Sequence, residues 1–422
     1  DSLYTHNQAT SIDSYNVAIG GGAGFAVTTG IRNILVGGQA GDAFTDADYN
    51  VAIGHSALSA DTLGNRSTAI GYSALAVQNF TTATISYNTA VGFGAGGAVT
   101  TGVGNTLIGG QAGDALIDAD YNVAVGKATL TTDTYGSKST AIGYSALEAQ
   151  NFTTATDSYN TAVGYSAGGA VTTGTNNTLV GGLTGDAITT GDKNTAIGTQ
   201  ALTTNTVGDR SVAVGYQALY TQNPATNTDM FNVAVGNGAL FALTTATYNT
   251  AIGGNAGNAV TTGQYNTIMG GLAGDALTNS DYNTAVGYLA LSADTLGANN
   301  VAIGSAALMT QNFTTATNSY NVAVGLNAGL LVTTGVQNTL VGSLAGDAIT
   351  DADGNIAVGY GSLGANTVGS KSVAVGMEAL ATQNPATATD MYNVAVGHDA
   401  GYAITTGIQN VAIGGLALDL AN

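Results

Sequence analysis

The sequence predicts an all-β, parallel β-solenoid, and three observations carry that prediction. The first is an internal repeat. A pentapeptide of Asn, a β-branched residue, Ala, a β-branched residue and Gly appears as Asn16-Val17-Ala18-Ile19-Gly20 and again as Asn50-Val51-Ala52-Ile53-Gly54. Its closing glycine recurs at 23 positions from Gly20 to Gly414, always 17 or 21 residues apart. The second is the residue type. β-Branched side chains flanking a small one and ending at glycine make a short strand, and the 3.6-residue apolar stripe of a helix is missing. The third is the placement of glycine: 46 of the 62 glycines occupy just three registers.

Each element follows in order, with the closing glycine as position zero. Position −4 is Asn in 19 copies and Ser in four, and stacked amides there would form a ladder along the axis. Positions −3 to −1 form the strand. Position zero is a corner where a Cβ would obstruct the backbone. A second short strand is expected over +3 to +8, as in Ala57-Leu58-Ser59-Ala60-Asp61-Thr62. Two strands per 17 residues make one coil, and successive coils lie about 4.8 Å apart, so 23 coils span roughly 110 Å.

Three intervals of 17 and one of 21 close a 72-residue superrepeat, broken by one extra coil at Gly236. The four added residues always fall in the same coil type. Pro224 and Pro385 stand there where other copies have Phe80, Phe152 and Phe313. Proline cannot donate to a central ladder, so this segment is expected to leave the sheet as a surface loop. Residues 1–422 read as a single continuous array. Both ends fall inside a coil and lack the atypical caps of a complete solenoid, so the chain reads as a piece of a longer fibre protein.

The strand is apolar on both faces apart from Thr at −3 in 11 coils: bulky at −3 and −1, small at −2. Such strands are covered on both faces, yet a narrow coil covers only one. The uncovered stripe predicts lateral association, most simply with copies of the same chain.

Composition narrows the function. No cysteine is present, which excludes disulfides, thiolate metal sites and cysteine nucleophiles. Seven basic residues against a net charge of −19 exclude a phosphate-binding surface and hence nucleic acid. No apolar run approaches the roughly 18 residues of a membrane span. The three histidines, His6, His55 and His398, lie on different coils with no recurring Ser/His/Asp set. No enzyme is expected.

The motif N-[VT]-A-[IV]-G-x-x-[AS] resembles the head repeats of YadA-like trimeric autotransporter adhesins. Ser67-Thr68-Ala69-Ile70-Gly71-Tyr72-Ser73-Ala74-Leu75 and Asn88-Thr89-Ala90-Val91-Gly92 are also similar to repeats of bacterial surface proteins and bacteriophage tail fibres. The resemblance covers essentially the whole chain. It implies a left-handed β-roll, a side-by-side homotrimer with inner strands at the threefold axis, and an extracellular adhesive or spacer fibre on a bacterial surface. The shaft of a bacteriophage tail fibre used in host recognition is the alternative it leaves open. The longer coil and the regular insertion depart from the family's basic pattern.

Several residue sets are candidates for binding. Asp42, Asp46 and Asp48, then Asp114, Asp118 and Asp120, then Asp347, Asp351 and Asp353 have the spacing of oxygen ligands for Ca²⁺; the competing reading is a solvated acidic face. The insertions, with Asn79, Phe80, Asn151, Phe152, Asn223, Pro224, Asn312, Phe313, Asn384 and Pro385, are candidate recognition loops for a host-cell or surface glycan or protein. Arg66, Lys138, Arg210 and Lys371 share register +12 and suggest ion pairs with the acidic coil before them. Aromatics at −5, such as Tyr49, Tyr87, Tyr248 and Tyr265, would stack sugars or seal a corner. Threonine pairs such as Thr28-Thr29 and Thr100-Thr101 raise ice binding, against plain β-propensity and ladder pairing.

Overall fold

The computed structural model describes residues 1–7 and 13–419 of the chain. The chain divides into two compact units, Asp1–Arg210 with Ala225–Thr228, and Ser211–Pro224 with Asp229–Asn422. Both are parallel β-solenoids built from the same coil, and the described residues contain no helix.

The first unit carries 11 three-residue strands, from Val17–Ile19 to Thr195–Ile197; the second carries 12, from Val212–Val214 to Val411–Ile413. Within each unit every such strand pairs in parallel and in register with the next. Val17, Ala18 and Ile19 lie against Ile34, Leu35 and Val36, and Val233, Ala234 and Val235 against Thr250, Ala251 and Ile252. Equivalent residues therefore stack as columns, as the repeat requires.

The corner glycine is explained by what lies above it. Gly54 has φ +136°, and a Cβ there would run into the carbonyl of Gly71 in the next coil. The same overlap with the following corner glycine holds for Gly71, Gly92 and Gly109.

The Asn column works through side-chain-to-backbone bonds. Asn33 Oδ1 accepts the Asn50 N–H at 2.9 Å, and Asn33 Nδ2 donates to the Ala47 carbonyl at 2.7 Å. Each buried amide thus ties three backbone segments, which meets the requirement that buried polar groups be paired.

The second strand is not where the sequence pattern suggests. Residues +3 to +8 form a run of tight turns. Alternate N–H groups close back within the coil: Ala23 to Gly20, Phe25 to Gly22 and Val27 to Gly24, at 3.1–3.3 Å. The others donate to the next coil: Gly24 to Ala40, Ala26 to Asp42 and Thr28 to Thr45, at 2.9–3.0 Å. The cause is a left-handed backbone at +4, where Leu58 has φ +52° and Gly24 φ +61°; a strand needs negative φ. A short second strand forms elsewhere and only beside the insertions. Gly64–Asn65 pairs with Thr84–Ile85, and Gly297–Ala298 with Thr317–Asn318.

The core is packed by size complementarity across the coil. Position −2 points inward and is usually Ala, but Leu35, Leu107, Leu179, Ile268 and Leu340 are larger and fully buried. Wherever the large residue stands, +4 is glycine in its own coil and in the one before. A Cβ on Gly96 would lie 2.7 Å from Leu107 Cδ1, and one on Gly113 2.8 Å from Leu107 Cδ2. Where −2 is Ala both in a coil and in the next, as in Ala52 and Ala69, +4 can be large, here the buried Leu58. One narrow interior is filled in two ways to similar density.

Candidate interaction surfaces

The outward face of the main strand is an apolar ladder. Position −2 is buried, whereas Ile53, Ile70, Ile108 and Ile142 at −1 in the first unit are 36–38% exposed, and Ile252 and Ile303 in the second are 38% exposed. Valine or threonine at −3 stands beside them, half-buried. Successive side chains of a strand alternate, so burying −2 forces −3 and −1 out together.

Registers −5 and +12 prove to be one column, because a 17-residue coil returns to −5 at +12. Arg32 and Lys193 also belong to it, which places six of the seven basic side chains there. Near the start of the chain it alternates aromatic and cation. Arg32 lies over the rings of Tyr15 and Tyr49 at 5.9 and 5.3 Å, and Arg66 over Tyr49 and Tyr87 at 5.6 and 5.8 Å. In the second unit the extra coil produces an unbroken run, Phe231, Tyr248, Tyr265 and Tyr282, with centroids 5.0–5.3 Å apart. The coil spacing matches the stacking distance of aromatic rings. A sugar platform needs an open ring face. The faces between neighbouring rings, and between rings and guanidinium groups, are taken up in these contacts.

Two lysines of this column, Lys138 and Lys371, pair with the coil after them, not the acidic coil before. Lys138 Nζ lies 2.5 Å from Asp157 Oδ2, and Lys371 Nζ 2.6 Å from Asp390 Oδ2. Toward the preceding coil only the backbone engages, Lys138 N–H donating to the Asp120 carbonyl. The Lys138 ammonium bonded to Asp157 holds that carboxyl below the usual range, and the ammonium is pushed up in turn. Both groups are exposed, so the pair contributes little to stability.

The aspartates of the proposed Ca²⁺ sets are divided among separate tasks. Asp48, Asp120 and Asp353 each accept the backbone N–H at +11 of the preceding coil, from Ile31, Val103 and Val336, at 2.8 Å. Asp46 and Asp118 accept the hydroxyls of Thr29 and Thr101 at 2.5 and 2.7 Å, and Asp351 that of Thr350 at 3.2 Å. Asp42, Asp114 and Asp347 are half-buried, which pushes their carboxyls above the usual range. Among the described residues no three His, Cys, Asp or Glu side chains stand together as a metal-holding group. Beside Gly97, where +5 lacks a side chain, Phe93, Gln111, Asp114 and Ile117 border a shallow groove of about 480 Å³.

The insertion loops expose less than their sequence suggests. Phe80, Phe152 and Phe313 are only 5–6% exposed, and Pro224 and Pro385 are buried as well. These side chains plug the coil. Asn79, Asn151, Asn312 and Asn384 remain in the ladder at +8: the Asn79 N–H donates to the Thr100 carbonyl at 3.0 Å, and Asn79 Oδ1 accepts the Thr62 hydroxyl at 3.0 Å. Asn223 keeps the same backbone bond, to Thr244 at 2.9 Å. The exposed tips are the three residues that follow, Thr81-Thr82-Ala83, Thr153-Thr154-Ala155 and Thr314-Thr315-Ala316.

Under the loops lies a buried polar network that motif reading missed. Asp61, Asp133 and Asp294, at +7 of the coil before the insertion, are fully buried. Asp61 Oδ1 accepts the N–H groups of Gly64 at 3.0 Å and Phe80 at 3.3 Å, and Oδ2 accepts Gln78 Nε2 at 2.7 Å. Gln78 Nε2 also donates to Ser67 Oγ, and Gln78 Oε1 accepts Asn88 Nδ2. The same set recurs at Asp133 with Phe152 and at Asp294 with Phe313. A visible signal was available: the coils with proline in the loop have Asn205 and Asn366 in place of the aspartate.

The histidines make only local contacts. The His55 ring stacks on Tyr72 at 5.5 Å with Nδ1 2.9 Å from Ser56 Oγ, and His398 Nδ1 lies 3.0 Å from Asp399. No described helix is long and apolar enough to cross a membrane. No protein-family model matches the chain, and no curated protein matches it.

Proposed function

We propose that this chain is a structural and adhesive fibre segment that works as a homo-oligomer at a bacterial cell surface. The single observation that supports this reading is the outward apolar ladder at −1, flanked by valine, isoleucine or threonine at −3. A patch of that kind is covered in a soluble protein. Its side chains repeat once per coil, so the partner that meets every one of them is a strand with the same repeat, which a second copy supplies. The trimer and the left-handed roll come from the resemblance to the head repeats of trimeric autotransporter adhesins.

In this reading the solenoid sets a spacing, and the exposed threonine tips of the insertions present a repeated attachment surface. The inward-turned Phe and Pro residues hold those tips in place. Sedimentation velocity or native mass at micromolar concentration tests the assembly. A trimer is expected; a monomer overturns the reading.

A further inference from the structure

The insertion coils exist in two versions, and each version shows what the other would become on gaining or losing a charge. In the first, the carboxylate of Asp61, Asp133 or Asp294 accepts the loop phenylalanine N–H and the Gln78, Gln150 or Gln311 amide. In the second, proline replaces phenylalanine and removes that N–H. Asn366 then stands at the acid's position. Its Oδ1 still accepts the Gly369 N–H at 3.0 Å, but its Nδ2 donates to the Gly369 carbonyl at 2.7 Å. Asn205 makes the same two bonds with Gly208, at 3.0 and 2.8 Å. The glutamine amides of these two coils differ: Gln222 Nε2 donates to Ser211 Oγ at 2.9 Å, whereas Gln383 Nε2 is buried with no partner. Its Oε1 keeps the bonds from Ser372 and Asn393.

A protonated carboxyl has the same outline as a carboxamide: one acceptor oxygen and one donor. We propose that Asp61 and Asp294 are two-state proton sites, whose neutral form adopts the arrangement of Asn366. The added proton sits on Oδ2 and is donated to the carbonyl of Gly64 or Gly297. The bond from Gln78 or Gln311 to the carboxyl is given up. The Asn–Pro coils are the permanently neutral version of the same latch and do not respond to pH.

The groups bonded to Asp61 are the Gln78 amide and the N–H groups of Gly64 and Phe80, all neutral. No charged side chain acts across space on Asp61 or Asp294. Burial dominates and pushes both carboxyls above the usual carboxylate range, with the hydrogen bonds opposing it. The sign follows from linkage. A folded-state pKa above the unfolded value means that protons bind the closed coil more tightly. The contribution to stability is fully present below the unfolded value and is lost as pH rises through the raised one.

The test compares the intact chain with the double variant Asp61→Asn and Asp294→Asn, which repeats a substitution the chain already carries at Asn205 and Asn366. Thermal melting is followed from pH 7 downward through mild acid. The parent is expected to gain more in melting temperature on acidification than the variant. Equal shifts in the two proteins, or a larger gain in the variant, overturn the proposal. A crystal structure of the parent at the acid end checks the geometry: Asp61 must bond the Gly64 carbonyl and leave Gln78. Retention of the Gln78 bond after titration overturns it.

Discussion

The Phe80 amide donates to the Asp61 carboxylate at 3.3 Å, and this bond joins an insertion loop to the coil before it. Proline has no N–H to offer. A buried carboxylate that loses a donor carries an uncompensated desolvation cost of about 1–3 kcal/mol. That explains why asparagine, Asn205 and Asn366, stands at this register in the coils that precede the two prolines in sequence. Phe80→Pro alone is therefore expected to destabilise the first unit by more than about 1 kcal/mol. In the Asp61→Asn background the same change is expected to cost less. A denaturant double-mutant cycle reads the coupling, and strict additivity of the two changes would contradict it.

Gly54→Ala is expected to cost about 3 kcal/mol, because it combines a strained φ with overlap on the Gly71 carbonyl. Gly21→Ala serves as the control, since a Cβ there meets nothing within 4 Å. Thermal melts of the two variants should separate clearly.

Leu107→Ala removes a fully buried side chain and should cost about 2–5 kcal/mol. Other coils of the chain pair Ala at −2 with Leu at +4, where Leu58 holds φ +52°. Adding Gly96→Leu and Gly113→Leu to Leu107→Ala should therefore restore part of the loss. A triple variant less stable than Leu107→Ala alone would show that the two packings are not interchangeable.

Placing Asp at Ile53 and Ile70 puts charge on the outward ladder and leaves the buried Ala52 and Ala69 untouched. Circular dichroism should stay close to the parent's, while sedimentation shifts to a smaller species. An unchanged oligomer would exclude this face as the contact.

Asp157 owes its lowered pKa first to the hydrogen bond from Lys138. A lowered folded pKa supplies stability that is present above the unfolded value and lost as pH falls through the folded one. Lys138→Met should move the Asp157 titration up toward the ordinary carboxylate range, read by carboxyl carbon NMR, with little change in melting at neutral pH.

The reading of the coil from sequence succeeded where a single register carries a single physical demand. Gly54 must be glycine because the next corner lies against it, and Ala52 must be small because Leu58 fills the interior beside it. It failed where two demands lie on different coils. The +3 to +8 segment has strand-like composition, yet the left-handed residue at +4 turns it. Phe80 looks like an exposed loop aromatic, yet the loop folds it inward. Tyr49 and Arg66 sit one coil apart in a single column, and only the stacked structure makes them neighbours.

The periodicity of the chain determines that coils stack in register, because 17 of the 22 intervals between corner glycines are 17 residues and the other five add the same four-residue insertion, so each column has equivalent positions above and below. It also determines which registers are glycine, amide or apolar. What each side chain faces was decided by the tertiary structure. Burying −2 sends Ile53 outward, closing the coil sends Phe80 inward, and the coil spacing sets rings against guanidinium groups. Those outcomes depend on contacts between coils, and sequence distance along one coil does not encode them.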